Sequence, residues 1–213
     1  MIIKSKTVVV ANSAGIPANL RCPGCGQLGT FELPIANAQD LGLDNGFRVG
    51  ERRCPNVDCQ TILFLVWQQN QILRSYPALR VDFEKTNIPA PIISALEEAI
   101  TCHANECFVA AAIMVRKTLE ELCRARGAKG GDLKQRIRDL GTKIVMPTEL
   151  LDGLDDLRLL GNDAAHIESR EYNQVGKEEV EVGIEFTKEV LKATYQYSAL
   201  LSRLRGLKKS PEA

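Results

Sequence analysis

Cys22-Pro23-Gly24-Cys25-Gly26 and Cys54-Pro55-Asn56-Val57-Asp58-Cys59 are the stretches on which the reading of this 213-residue chain turns. Each opens on Cys-Pro and brings two thiols into one short turn. The first pair is spaced Cys-x-x-Cys and the second Cys-x4-Cys, with twenty-eight residues between Cys25 and Cys54, enough for two strands. Tetrahedral zinc takes four soft or borderline ligands, and paired thiol turns joined by strands supply two from each end, which is the pattern of a zinc ribbon. Four thiolates leave no coordination position for water. Cys22, Cys25, Cys54 and Cys59 are therefore expected to hold a structural zinc, not a catalytic one. Spacing alone leaves iron open as the occupant, although zinc is the commoner one in ribbons. Metal binding would contribute most of the folding energy of so small a lobe. Two disulfides are the competing reading. The chain has seven cysteines, an odd number in paired spacings. Its start, Met1 to Ala11, carries no secretory cleavage pattern, so metal plus free thiols is favoured.

Around the cysteines the chain is punctuated by Gly, Pro and Asn. Phe31-Glu32-Leu33, Phe47-Arg48-Val49 and Thr61 to Trp67 read as strands, and Asn45-Gly46 as a turn before the second of them. Gly24-Cys25-Gly26-Gln27-Leu28-Gly29 matches the dinucleotide fingerprint G-x-G-x-x-G. That motif needs a strand before it, a helix after it and an acidic residue further on, and Cys25 already has a better role. The three prolines from Tyr76-Pro77 to Pro91 mark an extended linker. The domains expected are a zinc-ribbon lobe at 1–75, a linker at 76–91, a helical bundle at 92–206 and a basic tail at 207–213.

Beyond Pro91 the apolar period changes. Phe108, Ala112, Val115, Leu119 and Leu122 step by four and three, forming one helical stripe that Gly127 ends. Asp132 with Gln135 resembles a capping box opening a helix through Leu140. Pro147-Thr148 precede a helix containing Leu150 to Leu160. The last helix runs from about Lys177 to Arg205, with Phe186, Val190, Ala193, Tyr197, Leu200 and Leu204 as its stripe. Such stripes need partners, and a bundle of four or five helices supplies them. Cys102, His103 and Cys107 offer only three ligands for a second metal. They are read instead as a helix junction capped by Asn105, with Cys123 as a core residue.

Basic and acidic residues number 27 each, so the formal net charge is zero. That balance argues against a broad sheath of phosphate contacts, which needs clustered cations. No stretch approaches the roughly 20 apolar residues that cross a bilayer. The expectation is a cytoplasmic chain with no membrane partner.

Asp155-Asp156-Leu157-Arg158-Leu159-Leu160-Gly161-Asn162-Asp163-Ala164-Ala165-His166 carries the most chemistry. If helical, it lines Asp155, Arg158, Asn162 and His166 along one stripe. In one reading Arg158 pairs with Asp155 or Glu120, His166 donates to a buried carbonyl and Asn162 bridges helices. In the other, the face binds a phosphodiester: Arg158 offsets developing negative charge, Asn162 orients the reacting group and His166 moves a proton near neutral pH. Gly161 marks a kink or a close backbone approach. Arg116 and Glu120, spaced i,i+4, read as a surface pair worth a few tenths of a kcal/mol, and Lys117 with Glu121 repeats the spacing.

The two cysteine knuckles, Val81-Asp82-Phe83, Glu97-Glu98-Ala99, Ala111-Ala112-Ile113-Met114-Val115-Arg116-Lys117-Thr118-Leu119-Glu120 and Leu157 to His166 together carry a resemblance over nearly the whole chain. It resembles a prokaryotic family of unknown function within the HEPN superfamily, many members of which have an N-terminal zinc ribbon. The resemblance implies an α+β chain, a small β-rich zinc ribbon followed by a HEPN-like antiparallel bundle of four or five helices, forming a homodimer. It also implies a metal-independent endoribonuclease of toxin, immunity or phage-defence systems. The family's active motif is an Arg, usually followed by a polar residue, then a His four to six positions beyond the Arg, and two such motifs meet across the dimer. Here Asn162 and His166 take the polar and His places, Gly161 stands where the Arg would be, and Arg158 lies one turn earlier. The candidate catalytic set is Arg158, Asn162 and His166. The alternative left open is a non-catalytic module for dimerisation, or for binding a protein partner or nucleic acid. Zero net charge favours that alternative, and the Arg-Asn-His face favours the RNA-cleaving enzyme.

Overall fold

Ile-Leu-Phe-Leu-Val-Trp-Gln alternates in and out along a strand, burying Leu63, Leu65 and Trp67 while Phe64 stays exposed. This period of two is what a half-buried antiparallel sheet requires. The computed structural model describes residues 3–10, 15–35, 38–79, 81–144, 146–166 and 174–207. The chain divides into two units, Met1–Asp82 and Phe83–Ala213.

The first unit is all antiparallel strands: β1 (Val8–Val10), β2 (Ala18–Arg21), β3 (Leu28–Phe31), β4 (Leu41–Leu43), β5 (Phe47–Arg53), β6 (Ile62–Gln68) and β7 (Gln71–Tyr76). They form a five-stranded sheet in the order β1-β4-β5-β6-β7 and a separate β2-β3 pair. The expected strand at 47–49 lies within β5, and that at 61–67 is β6 to within a residue. The expected strand at 31–33 is instead the end of β3, continued by a single bridge from Glu32 to Arg53. The core joins Ala18, Leu20, Phe31, Leu63, Leu65 and Trp67 to Cys22 and Cys54.

One charged pair is enclosed in this unit. Arg52 and Asp40 are both fully buried, with Nη1 and Nη2 each donating to one Asp40 carboxylate oxygen at 2.8 Å. Nε donates to the Ile16 carbonyl at 2.8 Å, and the guanidinium lies 4.5 Å from the Trp67 ring centroid. Bidentate pairing with further hydrogen bonds is what makes such burial tolerable.

The second unit contains α1 (Ala90–Ala104), α2 (Phe108–Ala125), α3 (Leu133–Lys143), α4 (Thr148–Ala165), α5 (Lys177–Leu191), a π-helical turn (Lys192–Gln196) and α6 (Tyr197–Gly206). The α2 stripe packs as the periodicity predicts: Ala112, Val115, Leu119 and Leu122 are buried and Phe108 is half-buried. Gly127 takes a φ of +65°, and its N–H caps the Arg124 carbonyl, ending α2 as expected. Asp132 accepts the Gln135 N–H at 2.8 Å, while the Gln135 side chain takes the N–H of Gly131 rather than of Asp132. Cys102 and His103 remain inside α1, and Asn105 is its C-cap.

The final helix departs from expectation. Val180, Ile184, Val190 and Leu191 are buried, yet α6 has no buried residue. Past the π turn, α6 buries no side chain on any of its faces, so Tyr197, Leu200 and Leu204 stand exposed instead of continuing the packed stripe. The basic tail lies outside the described residues from 208 onward.

Candidate metal centre and polar helix face

Two turns position the four thiols. In the first, Gly26 N–H donates to the Cys22 carbonyl at 2.9 Å, and Gly24 N–H points at Cys22 Sγ at 3.3 Å. In the second, Cys59 N–H donates to the Asn56 carbonyl at 3.1 Å, and Cys54 N–H to the Thr61 carbonyl at 2.9 Å. A Cβ at Gly24 would lie 2.3 Å from Thr61 Oγ1 and 3.3 Å from Cys59 Sγ. Glycine there lets the second knuckle close over the first.

The sulfurs of Cys22, Cys25, Cys54 and Cys59 all lie within 4.8 Å of one another. Cys22 and Cys59 Sγ are 3.7 Å apart, and Cys25 and Cys54 Sγ 3.8 Å. A tetrahedron with zinc–sulfur bonds of about 2.3 Å has edges of about 3.8 Å, whereas a disulfide bond is about 2.05 Å. All four are free thiols. The geometry therefore fits a metal ion such as zinc and does not fit disulfides. Burial pushes the Cys54 thiol up to about 12, while the Thr61 hydroxyl and backbone N–H hold Cys59 down to about 6. Four thiols this close ionise together only beside a cation. Among the described residues this is the one group of three or more potential ligands, so Cys102, His103 and Cys107 do not assemble. Cys123 is buried, as expected of a core residue, and burial pushes its thiol up to about 11.

The second constellation lies where α2 crosses α4. Arg158 is held by Asp155: Nε donates to Oδ1 at 2.6 Å and Nη2 to Oδ2 at 3.3 Å. This pairing holds the Asp155 carboxyl below its usual range. Asn162 is half-buried one turn on. α4 then ends at Ala165, and His166 is its C-cap in extended backbone, donating its N–H to the Asn162 carbonyl at 3.0 Å. His166 is exposed, so a role as donor to a buried carbonyl loses its premise.

Arg116 joins this group from α2, and its bond to Asn162 links the two helices, as one of the two sequence readings expects of Asn162. Its Nη1 makes long hydrogen bonds, 3.4 Å each, to Asn162 Oδ1 and the Arg158 carbonyl, while Nε lies 3.5 Å from Glu120 Oε1. Gly161 makes the approach possible: a Cβ there would lie 2.4 Å from Arg116 Cβ and 3.1 Å from the Ala112 carbonyl oxygen. Gly161 is thus the close backbone approach that its sequence context suggested. The i,i+4 spacing could flag Arg116 and Glu120 as a pair, but no sequence signal names Arg116 as the partner that Asn162 meets on another helix.

No described helix is long and apolar enough to cross a membrane. A family model described as a domain of unknown function (DUF4145) matches residues 97–208, more than half of the chain. No curated protein and no solved structure matches the chain.

Proposed function

The chain belongs to the DUF4145 family, and from that premise we propose that it is a zinc-binding, HEPN-like cytoplasmic protein directed at RNA in a prokaryotic defence or toxin system, acting as a metal-independent endoribonuclease. In this reading residues 1–75 form a zinc ribbon, 76–91 a linker and 92–206 the HEPN-like bundle. Cys22, Cys25, Cys54 and Cys59 hold zinc, which ties the ribbon together and, with its coordination sphere filled by thiolates, has no position for substrate.

One observation carries the catalytic part. An exposed imidazole, His166, ends the helix on which Asn162 and Arg158 lie, and a second guanidinium, Arg116, reaches the same amide from α2. Such a group suits transesterification within RNA. The ribose 2′-hydroxyl oxygen attacks the adjacent phosphorus while His166 takes its proton. The O5′–P bond breaks and the departing 5′-oxygen takes a proton from water, leaving a 2′,3′-cyclic phosphate and a 5′-hydroxyl end, while protonated His166 returns its proton to solvent. The guanidiniums offset the negative charge that builds on the phosphoryl oxygens, and Asn162 orients the phosphate. No metal ion takes part in this step.

A second reading, a non-catalytic module for dimerisation or for binding a protein or nucleic acid, is favoured by the Asp155 carboxylate facing two nitrogens of Arg158. Mixed RNA incubated with the purified chain in EDTA separates the two. Cleavage by the wild type that His166→Ala, Arg158→Ala and Arg116→Ala each reduce at least about tenfold is expected; in free-energy terms that is about 1.4 kcal/mol of barrier. Cleavage that survives His166→Ala, or none by any form on diverse RNAs, sinks the enzyme and leaves the binding module.

A further inference from the structure

Four of the seven cysteines form the thiol cluster and Cys123 is buried among the helices, which leaves Cys102 and Cys107 outside both. These two stand where α1 ends and α2 begins. Asn105 is the C-cap of α1, and Glu106 behind it takes a φ of +63°. Glu106 N–H donates to the His103 carbonyl at 2.9 Å, and Cys107 N–H to the Cys102 carbonyl at 2.9 Å. These are the 5→2 and 6→1 bonds of a Schellman motif. Its first and sixth residues bring their side chains together, most often as an apolar contact. Here both places hold cysteine. A backbone bond of that length keeps the two Cα atoms about 5–6 Å apart, within the roughly 4.4–6.8 Å that a disulfide spans. Glutamate is uncommon in the left-handed region, so the hydrogen bonds hold this turn and not the preference of its residue.

We propose that Cys102 and Cys107 are a site of reversible oxidation, closing to a disulfide across the end of α1 when the chain meets a hydroperoxide. Cys107 is exposed and meets the oxidant first. Its sulfur attacks a peroxide oxygen: an S–O bond forms, the O–O bond breaks, and the departing oxygen takes the proton that the thiol released. The Cys102 sulfur then attacks the Cys107 sulfur. The S–S bond forms, the S–O bond breaks, and the hydroxyl leaves as water with the proton of Cys102. The two thiols lose two electrons and two protons, and hydrogen peroxide is reduced to two waters. A dithiol reverses the step by exchange through a mixed disulfide. Cys107 Sγ now rests 3.7 Å from the Asn105 carbonyl, a long contact that rotation about χ1 releases. Cys102 is half-buried, and burial pushes its thiol up, with Cys107 and Glu98 adding to the shift. That suits a thiol that resolves a sulfenic acid, not one that meets the oxidant.

The site goes beyond the RNA-cleaving reading. Neither thiol belongs to the Arg158, Asn162 and His166 face or to the four-cysteine cluster, and its test reads no RNA. In a reducing compartment a disulfide of this kind is transient, forming under oxidant and then reduced.

Peptide mapping of the full zinc-loaded chain tests the proposal, after treatment with equimolar hydrogen peroxide and digestion by a glutamate-specific protease without reductant. Cleavage after Glu98, Glu106 and Glu120 puts the two cysteines in different peptides. The expected product is a disulfide joining peptides 99–106 and 107–120, which a dithiol separates, in a chain that keeps its zinc. Cys102→Ser is expected to leave Cys107 as a sulfenic acid, trapped by dimedone at least about tenfold more than in the wild type. Its far-UV circular dichroism should match the wild type, since the bonds of the turn are all backbone. No linked peptides in the wild type, a dimedone adduct on Cys107 that is equal with and without Cys102, or Cys107 joined to a cysteine other than Cys102 overturns the proposal.

Discussion

A methyl group at residue 161 would enter space already held by Arg116 Cβ, at 2.4 Å, with the Ala112 backbone oxygen 3.1 Å away. Helix propensity alone favours Ala over Gly by about 1 kcal/mol. The crossing reverses that sign, because a backbone oxygen cannot rotate aside and overpacking a fixed contact costs about 1–3 kcal/mol. Gly161→Ala is therefore expected to lower the thermal midpoint of the helical unit; a raised midpoint would show that α2 gives way. The same crowding explains why the cation beside Asn162 comes from α2. Any longer side chain at 161 would displace the helix packed against it. Sequence periodicity could put Arg158 and Asn162 on one face of α4. It could not supply Arg116, because a period specifies which way a residue points and not which helix lies opposite. His166 shows a further limit: it belonged to the stripe only while the helix continued, and α4 ends one residue before it.

The elements most legible in the sequence are those whose signal is local. The cysteine knuckles could be read because one turn brings each pair of thiols together, and Gly127 because a helix end needs its positive φ. The buried Arg52–Asp40 pair was not legible. Arg52 sits next to Arg53, and only the strand pleat decides which of the two turns inward. The π turn at Lys192–Gln196 was not legible either, since the four-and-three stripe runs through it without a break in pattern. At the scale of the knuckle, the two turns predict unequal consequences of losing a ligand. Cys54 is buried in the strand core, whereas Cys25 is exposed at the end of its turn. Cys25→Ser is expected to leave a folded sheet that yields its zinc to a colorimetric chelator much faster than the wild type. Cys54→Ser is expected to lose the sheet as well as the metal. Equal zinc retention by Cys25→Ser and wild type would remove Cys25 from the ligand set.

Across the whole molecule, the two units draw on different sources of stability. The first has a core of few apolar side chains, and two of its buried members, Cys22 and Cys54, are candidate ligands themselves. Strip the metal and the thiols that close that core become separate polar groups, with Cys54 too buried to ionise readily. Small metal-bound lobes commonly lose their fold with their metal. The second unit has its own core, from Ile92 and Leu96 of α1 through Leu119, Leu140 and Leu154 to Ile184 and Val190. Unfolding of the intact protein should then show two transitions. Prolonged exposure to a strong chelator should abolish the one belonging to the sheet, read by loss of Trp67 emission, since Trp67 is the single tryptophan and lies in that core. The helical far-UV signal and its midpoint should stay within about 2 °C, because burial in the second unit is unchanged. One shared transition that moves with the metal would mean that the two cores unfold as a single cooperative body. The thiol group would then stabilise the helices as well as the sheet.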